Sequence, residues 1–203
     1  GNGSIWFNRD GQRFQFKIIL PVGHPDNPRT VPVGIRYRFL DLGLTNEEVT
    51  NDAKRALFGL SGVIGGWDWE SGLLYSQTER KEVANGRLHF PTIQAAIANR
   101  TYRFGGVNDP ALLAALNPYR TSTGETDITS LDLKGSRELW QLPGGPAAIA
   151  MGVELRRESF DIVSDPRQVA GEFVGIASTT VGASRNVQSV FAELSAPIFK
   201  GVE

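Results

Sequence analysis

Asp68 and Glu70 stand two residues apart in the run 62–75, GVIGGWDWESGLLY. Two carboxylates at a suitable separation can hydrolyse a glycosidic bond. On a strand, a spacing of two puts both on one face. They sit beside a tight Gly65-Gly66 turn that implies no concave site, so lining of a polar surface is favoured over catalysis. His24 (GHPDNP) and His89 (RLHFP) stand alone, whereas a metal site needs several ligands at workable spacing. Structural roles are expected for both. Residues 2–4 and the glycine-rich turns lack the G-x-x-x-x-G-K phosphate-loop pattern, and Gly144 and Gly145 read as turn residues. Arg156-Arg157-Glu158 could meet a phosphate or a ligand acid, though a salt-bridged rim is the plainer account. The richest collection lies in residues 79–125: Arg100, Tyr102, Arg103, Phe104, Asn117, Tyr119 and Arg120. Aromatic rings stack on ligand rings and arginines pair with acids, which makes these seven the candidate ligand-binding residues. The competing account is a folded surface loop with its own apolar cluster of Ile93, Ile97, Leu112, Leu113 and Leu116.

These groups need a scaffold, and the pattern along the chain is one of strands. Trp67, Trp69, Leu73 and Tyr75 share one parity, while Asp68, Glu70, Gly72 and Ser76 share the other. The same period of two recurs further on. Ala56, Phe58 and Leu60 oppose Arg55, Gly59 and Ser61. Leu131, Leu133 and Leu139 oppose Asp132, Lys134, Ser136 and Glu138. Ile149, Met151, Val153 and Leu155 oppose Ala150, Gly152, Glu154 and Arg156. Val190, Ala192 and Leu194 oppose Phe191, Glu193 and Ser195. Strands are therefore expected at 51–64, 67–78, 127–141, 147–160 and 186–197. Earlier ones are expected near 4–7, 13–20 and 33–42, the last two separated by a proline-rich loop at 21–32. Short helices are expected at 92–100 and 110–116. Connections alternate between tight turns (65–66, 143–146 and the start of one at Lys200) and long excursions (79–125, 161–185). Membrane barrels combine short turns at one end, long loops at the other, and strands that alternate apolar and polar. The fold class expected is thus all-β: an antiparallel meander of long hairpins, part of a large transmembrane β-barrel, with a long, partly helical extracellular loop. The first two strands fit poorly, because the long loop at 21–32 would fall on the short-turn side.

Composition sets outer bounds. The chain has 203 residues and a net charge of −1, with no basic run to attract nucleic acid. It has no cysteine, which removes disulfides, thiolate metal sites and thiol nucleophiles from consideration. No stretch approaches the roughly 20 apolar residues of a membrane helix, as expected when strands do the crossing.

Four segments resemble a known family. They are RYRFLDLG (36–43), RALFGLSGVIGGWDWESGLLYS (55–76), ELWQLPGGPAAIAMGVELRRESF (138–160) and SRNVQSVFAELSAPIFKGVE (184–203). They are similar to barrel segments of TonB-dependent outer-membrane receptors, especially the large-looped kind of proteobacteria. The most specific stretches are LPGGP followed by GVELRRESF, and VFAELSAPIFKG.

The resemblance implies a barrel of about 22 strands plugged by a separate N-terminal domain. It implies active uptake of a scarce ligand, a siderophore, carbohydrate or similar, in the Gram-negative outer membrane. The partners it implies are outer-membrane lipid and lipopolysaccharide, the ligand, and the energy-coupling TonB protein acting through the plug region. Residues 1–203 show no plug, no partner-gripping segment and no terminal strand ending in an aromatic residue. They are expected to be an incomplete slice of roughly six to eight barrel strands. No enzyme activity, cofactor or metal is expected. The alternative is a soluble, non-enzymatic β-rich binding or self-assembling module derived from such a barrel.

Overall fold

The computed structural model describes residues 6–9 and 12–199, with side chains from Phe16 onward. The expected turn at Lys200, the start of the strand at 4–7 and residues 2–4 lie outside the described residues. Nine strands and three short helices follow one another: β1 (Trp6–Arg9), β2 (Gln12–Gln15), β3 (Ile18–Leu20), β4 (Val33–Ile35), β5 (Glu47–Ile64), β6 (Trp67–Ala84), α1 (Phe90–Ala98), α2 (Pro110–Leu116), β7 (Arg120–Leu142), β8 (Gly145–Val163), α3 (Pro166–Val169) and β9 (Val181–Ser195). The protein is mostly antiparallel β-sheet. Strands β5 to β9 form one five-stranded sheet in sequence order, while β1–β2 and β3–β4 are separate two-stranded pairs.

The chain divides into two compact units. Unit 1 gathers Gly1–Thr50, Lys81–Thr123 and Ile162–Val181; unit 2 gathers Asn51–Arg80, Gly124–Asp161 and Gly182–Glu203.

Unit 2 is the meander. Gly65 and Gly66 both take positive φ, 58° and 78°, the geometry of a two-residue hairpin turn whose twist matches its strands. Residues 143–144 make the second tight turn at the same end. The connections at the other end are long, 85–119 and 164–180. The ladder outruns the apolar alternation: β6 continues to Ala84, β7 begins at Arg120 and β8 reaches Val163. The expected loop 79–125 therefore shrinks to 85–119.

Unit 1 has a small core of its own. Ile18, Leu20, Leu88, Ile93, Ala96, Ile97, Tyr102, Leu116 and Val174 are buried together, with Phe16, Ile35, Tyr37, Phe39, Leu42, Phe90, Phe104, Leu112 and Leu113 packed against them. The small apolar cluster expected in the loop is thus part of a larger one. Proline at the first turn suits the start of each helix, because its missing N–H would be unbonded there. Asp109 caps α2 by accepting the Ala111 N–H at 2.7 Å. Helix α1 ends where Arg100 adopts φ 60°, a left-handed conformation beyond its last turn.

The expectation for the early strands is corrected here. Residues 13–20 split into β2 and β3, and 33–42 yields only β4 and a 3₁₀ turn at Leu40–Leu42. Ile35, Tyr37 and Phe39 do share one side, but that side packs on the unit 1 core. A half-buried strand and a lipid-facing strand carry the same alternation. The proline-rich stretch 21–32 therefore joins a local hairpin and breaks no rule of the meander.

Candidate functional site

In unit 2, cross-strand contacts fix which side chains share a face. The Tyr75 hydroxyl points at Asp127 and Gln77 bonds Glu125, which aligns β6 with β7. Glycine positions add β5: a Cβ on Gly62 would stand 3.2 Å from the Trp69 indole, and one on Gly135 would stand 3.5 Å from Trp67. A Cβ on Gly152 would run into the Phe191 ring and stand 3.0 Å from the Lys134 Cβ, which puts that parity of β7, β8 and β9 on one face and Leu133, Met151, Val153 and Val190 on the other. The apolar sets of all five strands therefore lie on one face.

That face is uncovered among the described residues. Phe58 is 62% exposed, and Leu133 and Val153 are each 49% exposed. The indoles of Trp67 and Trp69 lie at its tight-turn end. Toward the long-connection end the same parity turns polar on every strand. Ala56 gives way to Lys54 and Asp52, Tyr75 to Gln77 and Glu79, and Leu131 to Thr129 and Asp127. Leu155 gives way to Arg157 and Asp161, and Val190 to Gln188 and Asn186. From Trp67 to Tyr75 the apolar band runs about 27 Å along the strand at a rise of about 3.3 Å per residue.

The opposite face carries the charge. Glu70 pairs with Lys134 at 2.7 Å. Arg156 lies between Glu154 (3.7 Å) and Glu158 (2.9 Å), and Glu158 also holds Arg185 at 2.6 Å. A trough of about 470 Å³ on this side is lined by Asp68, Glu70, Lys134, Ser136 and Phe191, among others. Asp68 and Glu70 thus share a wall with a cation. The run Arg156-Arg157-Glu158 is split by alternation: Arg156 joins the carboxylate chain, and Arg157 stands at the margin of the apolar band. Leu57, Val63 and Phe191 also fall on the charged side, so this face is mixed.

The loop candidates all belong to unit 1, and it uses them unequally. Tyr102 is fully buried, with its hydroxyl 2.8 and 2.9 Å from the two Asp41 oxygens. Burial, and then Asp41, push its phenol well above the usual tyrosine range. Its ring meets Phe104 at 4.8 Å and Phe39 at 5.7 Å between centroids. Asn117 is spent on backbone: its amide donates to the Leu42 carbonyl at 3.0 Å and its oxygen accepts the Gly86 N–H at 2.6 Å. Arg120 is buried, donating to the Asn85 carbonyl at 3.2 Å with Glu82 at 3.9 Å. Arg100, Arg103 and Tyr119 are exposed.

Two of these meet at one turn. An added Cβ on Gly23 would stand 3.2 Å from the Arg100 guanidinium. Arg103 reaches Asp26 at 3.2 Å, and Asp26 also accepts the Phe104 N–H at 2.8 Å. His24, in the same turn, is buried; its Nδ1 accepts the Asp26 N–H at 3.1 Å, and its Nε2 has no partner among the described residues. His89 is a tie between connections: Nδ1 lies 2.7 Å from the Thr92 hydroxyl and Nε2 3.0 Å from Glu172. Asp165 caps α3, accepts the Thr121 N–H at 3.3 Å and holds Arg167 at 2.9 Å. That arginine keeps the Asp165 carboxyl below its usual range. The roles of Asp26 and Asp41 have no local signature, since their side-chain partners lie elsewhere in the chain, whereas Asp165 before Pro166 is a local helix-start signal that sequence reasoning missed.

What the described residues define is a long-stranded antiparallel sheet with one apolar and one charged face, accompanied by a small mixed unit. No family model, no curated protein and no solved structure matches this chain.

Proposed function

We propose that the chain is a wall segment of a transmembrane β-barrel, from an outer-membrane receptor of the TonB-dependent kind that imports a scarce ligand. One observation carries this: the apolar sets of five successive strands share a single uncovered face and turn polar toward the same end. A soluble sheet hides such a face under a second layer, and monomeric soluble proteins rarely expose patches of this extent. Lipid supplies the missing layer. The band of about 27 Å becomes about 20 Å across the membrane after a tilt of about 40°, close to the roughly 25 Å belt of outer-membrane barrels. Trp67 and Trp69 at one margin and Tyr75 at the other suit the two interfaces. In this reading the charged face lines the lumen. The partners are outer-membrane lipid, lipopolysaccharide, the ligand and the energy-coupling TonB protein. The ligand meets the exposed loop residues Arg100, Arg103 and Tyr119.

A second reading rests on the sheet's two edges. Strands β5 and β9 are outermost and exposed along their length, and unpaired edges recruit further strands. A soluble module that self-assembles through these edges would also bury them.

Because the chain has no cysteine, a single introduced thiol reports from one place. Nitroxide labels at Leu133→Cys and Val153→Cys should be reached by membrane-dissolved oxygen, and labels at Lys134→Cys and Glu154→Cys by a water-soluble relaxant. The protein should also fractionate with the outer membrane. Equal water access at both parities, with the protein free in buffer, would overturn the membrane reading in favour of the soluble one.

A further inference from the structure

Charge is divided unevenly between the units. The residues of unit 1 include 12 Lys/Arg and 9 Asp/Glu, a net of +3; those of unit 2 include 9 and 13, a net of −4. Burial sharpens the contrast. Three carboxylates of unit 1 are taken up inside it: Asp41 by Tyr102 and Asn108, Asp165 by Thr121 and Arg167, and Glu172 by His89, whereas Glu47, Glu48 and Asp109 are exposed. Of its cations Arg120 is buried, while Lys17, Arg29, Arg38, Arg87, Arg100 and Arg103 are all exposed.

At the 21–29 turn this excess has a definite geometry. The Arg100 guanidinium lies over Gly23, and Arg103 binds Asp26 three residues on. Arg29 leaves the same turn, with its backbone N–H bonded to Asn27 at 3.0 Å. Asp26 is the carboxylate this turn supplies against the Arg100 and Arg103 guanidinium groups, and one of its oxygens is already committed to the Phe104 N–H. The turn is held rigid from beneath. The Asn27 amide donates to the carbonyls of Leu20, Pro21 and Val31 at 3.0–3.2 Å. Helix α1 would favour a cation near its C-terminal end in any case, but the Arg100 side chain extends beyond that end to Gly23. The Tyr37 ring packs on Phe39, Tyr102 and Phe104, and its hydroxyl accepts the Gly105 N–H at 3.0 Å.

We infer that this turn is an anion-binding site, and that the imported ligand is a compact solute carrying two or more carboxylate or phosphate groups. Guanidinium groups grip such oxygens through paired N–H donors. A net positive surface draws the anion in, and the attraction weakens with salt. The inference rests on the receptor reading for its biological sense, but the binding event is testable without it.

The experiment uses the full chain in detergent, with citrate and inorganic tripolyphosphate as probes, raffinose as the neutral control and rough lipopolysaccharide as a separate arm. Calorimetry should show both anions binding and raffinose not binding, with affinity falling as salt rises. Arg100→Gln, which breaks no side-chain bond to the core, should weaken binding about tenfold, the size of one lost charge-assisted contact. Arg103→Lys keeps the charge toward Asp26 and should weaken it less. Arg87→Gln, an exposed arginine away from the turn, should leave it unchanged. Equal binding by Arg100→Gln and wild type, equal binding of raffinose, or binding to lipopolysaccharide alone would each overturn the inference. Membrane fractionation of Arg100→Gln should match wild type, so failure here is distinct from failure of the receptor reading.

Discussion

The two units solve the problem of apolar side chains in opposite ways. In unit 1, apolar residues from three stretches of chain close on one another, and Tyr102, Leu20, Ile93 and Leu116 lose nearly all exposure. In unit 2, Phe, Leu, Val and Trp are spread over one layer that is uncovered among the described residues. The first is a self-sufficient core. The second is half of an interface whose other half is solvent-like lipid in our reading. The lesson is that alternation reports only that a strand has two unlike sides. What the apolar side touches is decided by how much chain is available to fold back over it. Strands β3 and β4, of 3 residues each, can be covered by α1 and α2. The sheet strands run to 15–23 residues, and their apolar side chains stay exposed among the described residues.

Substitutions can break this contrast. The largest effect is expected from Tyr102→Ala. It removes a fully buried ring and leaves Asp41 with Asn108 but without the Tyr102 hydroxyl, so unit 1 should lose about 3–5 kcal/mol. Amide exchange in α1 and α2 should accelerate while the sheet amides between β6 and β7 stay protected. Acceleration in both would mean that the units are not separable. Next comes Leu133→Arg, in the middle of the uncovered band. A guanidinium there should cost about 2–4 kcal/mol in a bilayer, read as reduced outer-membrane assembly. A soluble sheet would gain solubility from the same change, so the sign of the effect discriminates.

A smaller effect should follow from acid. Asp165 has a folded pKa below its unfolded value, so its contribution is complete above the ordinary carboxylate pKa of about 4 and is lost as pH falls through the lower folded value. Protection of the Thr121 and Arg167 amides, both bonded to Asp165, should fall across that acid window. Measured as protection factors, which divide out the intrinsic pH dependence of exchange, the Asp165→Asn amides should be less protected throughout and nearly flat with pH. The smallest effect belongs to Lys134→Ala. The Glu70–Lys134 pair is about half exposed, so its loss should leave stability nearly unchanged. A larger loss in urea titrations would mean that the charged face is more enclosed than a single open sheet allows.

Much of unit 2 could be read directly from the chain. Gly65-Gly66 and Pro143-Gly144 mark its tight turns, and the period of two marks its strands. Their polar ends were not legible, because Glu79 to Ala84 and Arg120 to Thr126 carry no apolar rhythm and are strand only through the continuing ladder. In unit 1, the helices at 90–98 and 110–116 stand within two residues of their expected bounds. Ile35, Tyr37 and Phe39 misled because the alternation of a covered hairpin matches that of a membrane strand. Among the candidate ligand residues, residue type alone could not separate exposed Arg100 from buried Arg120, whose neighbours Glu82 and Asn85 lie across a strand pair. Asp41 and Asn117 were invisible for a related reason: their partners lie on another element or are carbonyls and amides, which leave no trace in residue type.

Unit 1 also constrains the order of events after synthesis. Ile18 and Val174 belong to one cluster, yet four strands of the meander lie between them in the chain. Hairpins can zip locally within microseconds, whereas this cluster waits for its last contributor to emerge. Contacts of such high sequence separation slow folding and prolong the time that sticky intermediates persist. A holding chaperone would find its longest opportunity in that interval, with the strands already paired and Leu20, Ile93 and Tyr102 still bare.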